Sequence, residues 1–201
     1  MNDDFLIGNS PVAWVNTSPL VKTYTLEEFW KLPDPPDRAK LELIAGVLYR
    51  SPPPGYTHDN VVRRLNRLLS EYLLRSGDKG SLYIPRAAIW RSANTYLEPN
   101  LFYLAPETEA RLDPERRTTA DLVIEVISPG SAIYDRNTKA DTYAALGVNE
   151  LWLVDEVQEN VERRVLEGNR FGPGKAFAKG EMLNSAILPS LTFDVTRIFE
   201  D

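Results

Sequence analysis

Cysteine is missing from this 201-residue chain, and histidine occurs once, at His58. The first absence excludes disulfides and thiolate metal sites. The second excludes a multi-histidine zinc centre within one chain and leaves any serine–histidine triad dependent on a single imidazole. A metal site must therefore be built mainly from oxygen ligands, which favours magnesium, manganese or calcium. No apolar run is long enough to cross a bilayer, and the start Met1-Asn2-Asp3-Asp4 lacks the pattern of a signal peptide. The expected compartment is the cytoplasm, with no membrane partner. Internal repeats, heptad seams and low-complexity tracts are also lacking. Positive charge is not in excess, since the formal net charge is -6. That argues against a general nucleic-acid coat protein but leaves room for one local basic face, because local potential outweighs the total.

What is present is ordinary for a globular fold: 43% hydrophobic and 26% charged residues, enough for a sizeable core. Residues 1–22 read as an irregular arm and residues 23–201 as a single domain. Thr25-Leu26-Glu27-Glu28 predicts a capped short helix with Phe29 and Trp30 on its apolar face. The proline-rich stretch from Leu32 to Asp37 breaks it. The run from Leu41 to Tyr49 reads as two strands around a turn at Gly46, followed by a rigid loop from Ser51 to Gly55. Val61, Val62, Leu65, Leu68, Leu69, Tyr72 and Leu73 fall at helical spacing, with a stop at Ser76-Gly77. Segments around Leu82 to Ile84 and Ala87 to Trp90 read as extended, Leu101 to Leu104 as a short strand, and Ala105 to Thr119 as a charged exposed loop. Ser131 to Leu146 predicts one helix stopped by Gly147. Leu151 to Asp155 reads as a buried strand. The alternation from Val161 to Leu166 reads as a half-exposed ribbon turning at Gly168-Asn169. Phe193 to Phe199 reads as a closing helix capped by Asp194. Together these predict an α/β (α+β) fold with a mixed central sheet flanked by helices.

One residue breaks the pattern. Asp121-Leu122-Val123-Ile124-Glu125-Val126-Ile127-Ser128-Pro129 has the β-branched content and proline stop of a strand buried on both faces. Glu125 lies in its middle. A carboxylate there is costly unless it is paired or holds a cation. Asp121 shares its parity and leaves the same face. The plain alternative is a structural ion pair.

Three further polar residues stand beside apolar segments. Glu42 lies between Leu41 and Leu43, and an exposed strand position is an equal alternative. Asn100 opens the Leu101 strand, which alone is no more than a strand start. Lys139 shares a helix face with Asp135 and Tyr143; as a mere surface partner of Asp135 it would contribute only ~0.3–0.5 kcal/mol. Arg63, Arg64 and Arg67 form a basic patch on the polar side of the long helix and are candidate nucleic-acid contacts, against the alternative of a solvated face.

Taken together, these residues resemble a known pattern. Leu41-Glu42-Leu43-Ile44-Ala45-Gly46, Ser51-Pro52-Pro53 with His58, the Glu125 strand, and Asp135, Lys139, Tyr143 and Gly147 to Asp155 follow in an order similar to the restriction endonuclease-like family of the PD-(D/E)xK nuclease superfamily. The resemblance runs from about Thr23 to Phe199. It implies a restriction-endonuclease-like core and a phosphodiesterase that uses Mg²⁺ or Mn²⁺. It places the family's glutamate at Glu42, its metal carboxylate at Glu125 and its lysine at Lys139 on the following helix, since the usual position two residues after the carboxylate is Ile127. The family's first metal aspartate falls on Asn100, an uncharged ligand, with Glu98 or Asp121 as possible substitutes. His58 is weighed towards a structural role.

The expected function is thus a Mg²⁺-dependent endonuclease acting on DNA, with Glu42, Asn100, Glu125 and Lys139 in one cleft and Asn100 and Glu125 on the metal. The alternative is a catalytically degraded nuclease fold that binds nucleic acid or protein; hydrolysis of another phosphoester ranks third. A homodimer is the default assembly.

Overall fold

A computed structural model describes residues 21–200 except Ser92, Pro114 and residues 129–131. Nearly all of the expected N-terminal arm lies outside the described residues, as do the Pro129 stop and the Ser131 helix start.

The first helix, α1 (Leu26–Phe29), is closed by its capping box: the Thr25 hydroxyl accepts the Glu28 N–H and the Glu28 carboxylate accepts the Thr25 N–H. Strands β1 (Lys40–Ile44) and β2 (Val47–Ser51) pair across a two-residue turn. Ala45 and Gly46 both have positive φ, 49° and 83°, as the favoured two-residue hairpin turn demands. The long helix α2 (Tyr56–Ser76) ends at Gly77 in the left-handed conformation. Strands β3 (Ser81–Tyr83), β4 (Ile89–Trp90), β5 (Tyr96–Leu97) and β6 (Leu101–Leu104) follow. The stretch read as an exposed loop after β6 contains a short helix, α3 (Pro106–Glu109), with Thr108 buried and Glu109 accepting from the Ser81 and Tyr83 hydroxyls.

The Glu125 strand is β7 (Leu122–Ile127), buried at every position. The predicted single helix after it is instead α4 (Ala132–Tyr134), a π turn over Asp135–Lys139, and α5 (Ala140–Ala145). Gly147, at φ 78°, stops α5. Strands β8 (Glu150–Asp155), β9 (Asn160–Glu167), β10 (Arg170–Phe171) and β11 (Lys175–Ala178) complete the main sheet. The C-terminal stretch read as one helix divides into two elements. Strand β13 (Thr192–Asp194) pairs with β12 (Met182–Asn184), and α6 (Thr196–Phe199) follows. The Asp194 carboxylate still accepts the Thr196 N–H.

The main sheet is seven-stranded and mixed: its order is β10-β9-β8-β7-β6-β3, with β11 also on β9, and β7 and β8 are parallel. A four-stranded antiparallel sheet, β2-β1-β5-β4, stands beside it. The two faces of β7 feed different cores. Leu122, Ile124 and Val126 pack with α2 and the C-terminal elements. Val123 and Ile127 pack with Tyr143, Leu146 and the smaller sheet's Ile44, Ile89 and Leu97. Glu125 belongs to this second face by parity. No described helix is long and apolar enough to cross a membrane.

Candidate active site

Glu125 is 2% exposed and would be costly there unless its charge were matched. Lys139 matches it, with Nζ 2.5 Å from Glu125 Oε1. The Tyr143 hydroxyl donates to the same oxygen at 2.5 Å. Lys139 Nζ also stands 3.2 Å from Glu42 Oε1 and 3.6 Å from Asp135 Oδ1. Glu42, buried inside β1, accepts the Glu98 N–H on Oε1 at 2.9 Å and pairs with Lys40 through Oε2 at 3.3 Å. Lys139 is thus an interior residue, not a surface partner of Asp135.

The π turn positions this lysine. Its i→i+5 bonding adds a residue to one turn and lines up residues five apart. Tyr134 and Lys139 are five apart, and the ammonium lies 5.8 Å from the Tyr134 ring centre.

Burial opposes charge on both Lys139 and Glu42. It is outweighed at Lys139 by Glu125 and Glu42, which hold the ammonium well above its ordinary pKa. At Glu42 it is outweighed by Lys139, then Lys40 and the Glu98 N–H, which hold the carboxyl below its ordinary value. Burial and the Glu125 carboxylate push the Tyr143 phenol well up. Burial also raises the Glu98 carboxyl, against the pull of Arg86 and Lys40.

Asn100 sits one register step beyond the Leu101–Ile124 pair, opposite Glu125. Its Oδ1 accepts the Val126 N–H at 2.8 Å. Its Nδ2 is 3.2 Å from His58 Nε2. An amide nitrogen only donates, so this His58 nitrogen is the acceptor and the neutral ring carries its proton on Nδ1. Asp121 is not a substitute ligand. Its carboxylate accepts the Ala105 N–H, the Thr108 hydroxyl and the Asn149 amide. Four residues along the strand, it lies roughly 13 Å from Glu125 at about 3.3 Å per residue.

Asn100, Glu125 and Lys139 line a cavity of about 550 Å³, together with Glu98, His58 and the loop from Ser51 to Gly55. Glu42 stands behind Lys139. The structure therefore brings Glu42, Glu125 and Lys139 into contact and Asn100 to the same cavity. Arg63, Arg64 and Arg67 do not line it. They leave α2 away from the buried row of Val61, Leu65, Leu68 and Leu69. Residues missed in the sequence include Lys40, Tyr49, Tyr134, Arg38, Arg50 and Arg86, all lining the cavity. Lys40 alone had a signal, its shared parity with Glu42 on β1.

Among the described residues no three histidine or acidic side chains stand together as a cation cage. Magnesium does not require one, because it keeps several waters and uses one or two carboxylates plus substrate phosphates. Glu125 offers a carboxylate facing the cavity. Asn100 Oδ1 keeps a second lone pair beyond its bond to Val126. This all-oxygen pair fits a Mg²⁺ or Mn²⁺ ion shared with a substrate phosphate, with less ligand charge than two carboxylates would give.

The fold is similar to that of a solved protein from Anabaena variabilis, described as a "putative nuclease belonging to DUF820". The TM-score is 0.71 at 15% identity, over 88% of this chain and 97% of that one. At that identity the likeness speaks for the fold. No curated protein matches the sequence. The model of the Uma2 family, described as "Putative restriction endonuclease", matches residues 26–196. A match over that much of the chain shows that this protein belongs to the Uma2 family.

Proposed function

We propose that this protein is a divalent-cation-dependent endonuclease that hydrolyses phosphodiester bonds of DNA on the floor of the cavity. The observation that carries the reading is the buried ammonium of Lys139, set against Glu125 and Glu42 at one end of an open cavity. The family description supports a nuclease and DNA as its substrate. Glu125 and Asn100 would hold the cation. When bound, such an ion polarises the phosphate and acidifies a water molecule.

The protein's own groups supply the rest. The carboxylates around Lys139 favour its ammonium form, which suits it to neutralise charge developing on the phosphate oxygens. Glu42 fixes Lys139 in place, and Tyr143 fixes the Glu125 carboxylate. A second reading, a binding module without cleavage, is favoured by the neutral Asn100 and the commitment of its oxygen to the Val126 N–H.

Closed circular DNA, duplex and single-stranded, with Mg²⁺ or Mn²⁺ tests the proposal. Conversion of circles to linear fragments by the wild type and not by Glu125→Ala supports the endonuclease. Binding of DNA without cleavage by the wild type supports the second reading.

A further inference from the structure

We infer that the cavity accepts one unpaired nucleotide, so that this protein engages single-stranded nucleic acid in preference to duplex. The inference rests on the phosphodiesterase reading and specifies its substrate.

Depth is the first reason. Glu125 and Lys139, 2% and 1% exposed, form the floor of the cavity, below a wall made by the β1–β2 hairpin and the triple-proline loop. A nucleotide can bring base and phosphate together into such a pocket only when it is out of a duplex stack, and unstacking a paired one costs a few kcal/mol. The volume, about 550 Å³, is that of a small-ligand site.

The walls supply the second reason. Tyr49 and Tyr134 both line the cavity and stack with ring centres 4.4 Å apart. Aromatic faces are the usual platform for unpaired bases. The Tyr134 hydroxyl is buried without a hydrogen-bond partner among the described residues. Such a donor is normally satisfied, and an acceptor on an entering nucleotide would satisfy it.

Charge supplies the third. Cations and carboxylates are mixed in the lining at both depths. Glu98, Glu125, Asp135 and Lys139 are buried, whereas at the mouth three exposed arginines, Arg38, Arg50 and Arg86, outnumber the one exposed carboxylate, Asp59. Arg50 pairs with Asp37 and Arg86 with Glu98. Arg38 has no ion-pair partner among the described residues. Arg38 and Arg86 hold the left-handed backbone conformation at φ 62° and 77°, which is strained for a non-glycine residue. The mouth thus offers cations to a strand backbone on a chain of net charge -6.

Fluorescence anisotropy of a labelled 20-nucleotide oligothymidylate and of a hairpin duplex of equal length, in EDTA, tests this without cleavage. The single strand is expected to bind at least tenfold more tightly. Tyr134→Leu should weaken single-strand binding about 5- to 150-fold, from ~1–3 kcal/mol per stacked base. Tyr134→Phe, which keeps the ring and loses the hydroxyl, should weaken binding by only about 2- to 13-fold, from ~0.5–1.5 kcal/mol per hydrogen bond. The exposed pair Arg38→Ala/Arg86→Ala should lower the salt slope by about 1.4, from ~0.7 per phosphate contact in a single strand. Duplex binding as tight as single-strand binding overturns the inference. So does an unchanged slope in the arginine pair, or a larger loss from alanines at Arg63, Arg64 and Arg67. Single-strand preference without cleavage sinks the nuclease reading alone, and equal cutting and binding of both forms sinks only this inference.

Discussion

Replacing Lys139 by methionine isolates its role as buried counterion. The side chain is 1% exposed, and its two nearest carboxylates, Glu125 and Glu42, are almost fully buried too. After Lys139→Met, Glu42 still has Lys40 at 3.3 Å and the Glu98 N–H at 2.9 Å. Glu125 keeps only the Tyr143 hydroxyl, at 2.5 Å, of the partners identified above. The unmatched charge therefore falls mainly on Glu125. Removing one member of a buried pair costs about 3–5 kcal/mol. Replacing both, as Glu125→Gln with Lys139→Met, removes the stranded charge and should cost about 2 kcal/mol less than the sum of the two single variants, within the ~0.5–3 kcal/mol range of coupled neighbours. Urea unfolding followed by tryptophan fluorescence measures this. At a slope of ~1–3 kcal/mol/M, the midpoint of Lys139→Met should fall by roughly 1–5 M with the slope unchanged. A loss below about 1 kcal/mol, or a double variant whose loss is the sum of the singles, would refute the counterion assignment.

Other consequences are equally direct. Glu42's depressed pKa means its stabilisation is present above about pH 4.3 and lost as pH falls through its folded value. Lys139's raised pKa means its share is full below about pH 10.4 and lost only as pH rises through a higher folded value. Between pH 5 and pH 3, urea stability of Glu42→Gln should therefore fall less steeply than that of the wild type; parallel declines would contradict this. Asn100→Asp adds a charge beside Glu125 while keeping an acceptor for the Val126 N–H, so calorimetry should show tighter Mg²⁺ binding. An unchanged affinity would remove Asn100 from the metal. Glu150, fully buried, accepts from the Trp152 indole, the Ser185 hydroxyl and the Ala186 and Ile187 N–H groups. Glu150→Ala should cost about 3 kcal/mol by leaving those donors unpaired. A loss below about 1 kcal/mol in urea unfolding would show that water satisfies them.

Much of the site was legible because buried charge violates a pattern. Glu125 stands out where a strand should be apolar, and Asp135, Lys139 and Tyr143 recur at helical spacing. What escaped depends on geometry that periodicity does not encode. The π turn is invisible, since the residues across it still suit a helix, yet it brings Tyr134 into line with Lys139. Parity correctly put Asp121 on the face of Glu125 but ignored distance along the strand, so it suggested a ligand that instead anchors the turn after β6. Arg38 and Arg86 carry no signal at all, because their place at the mouth follows from left-handed turns that neither residue favours. The basic row on α2 was conspicuous for the opposite reason: three arginines close in sequence attract attention wherever the helix points them.

The most direct test of phosphodiester hydrolysis at this cavity is the initial rate of cleavage of circular single-stranded DNA in Mg²⁺, for wild type and Glu125→Ala purified in parallel, with folding checked by circular dichroism. A loss of at least about 100-fold in the variant is expected from removing one essential group of such a site. Equal rates, or a folded wild type that binds the DNA and never cuts it in Mg²⁺ or Mn²⁺, would contradict hydrolysis there.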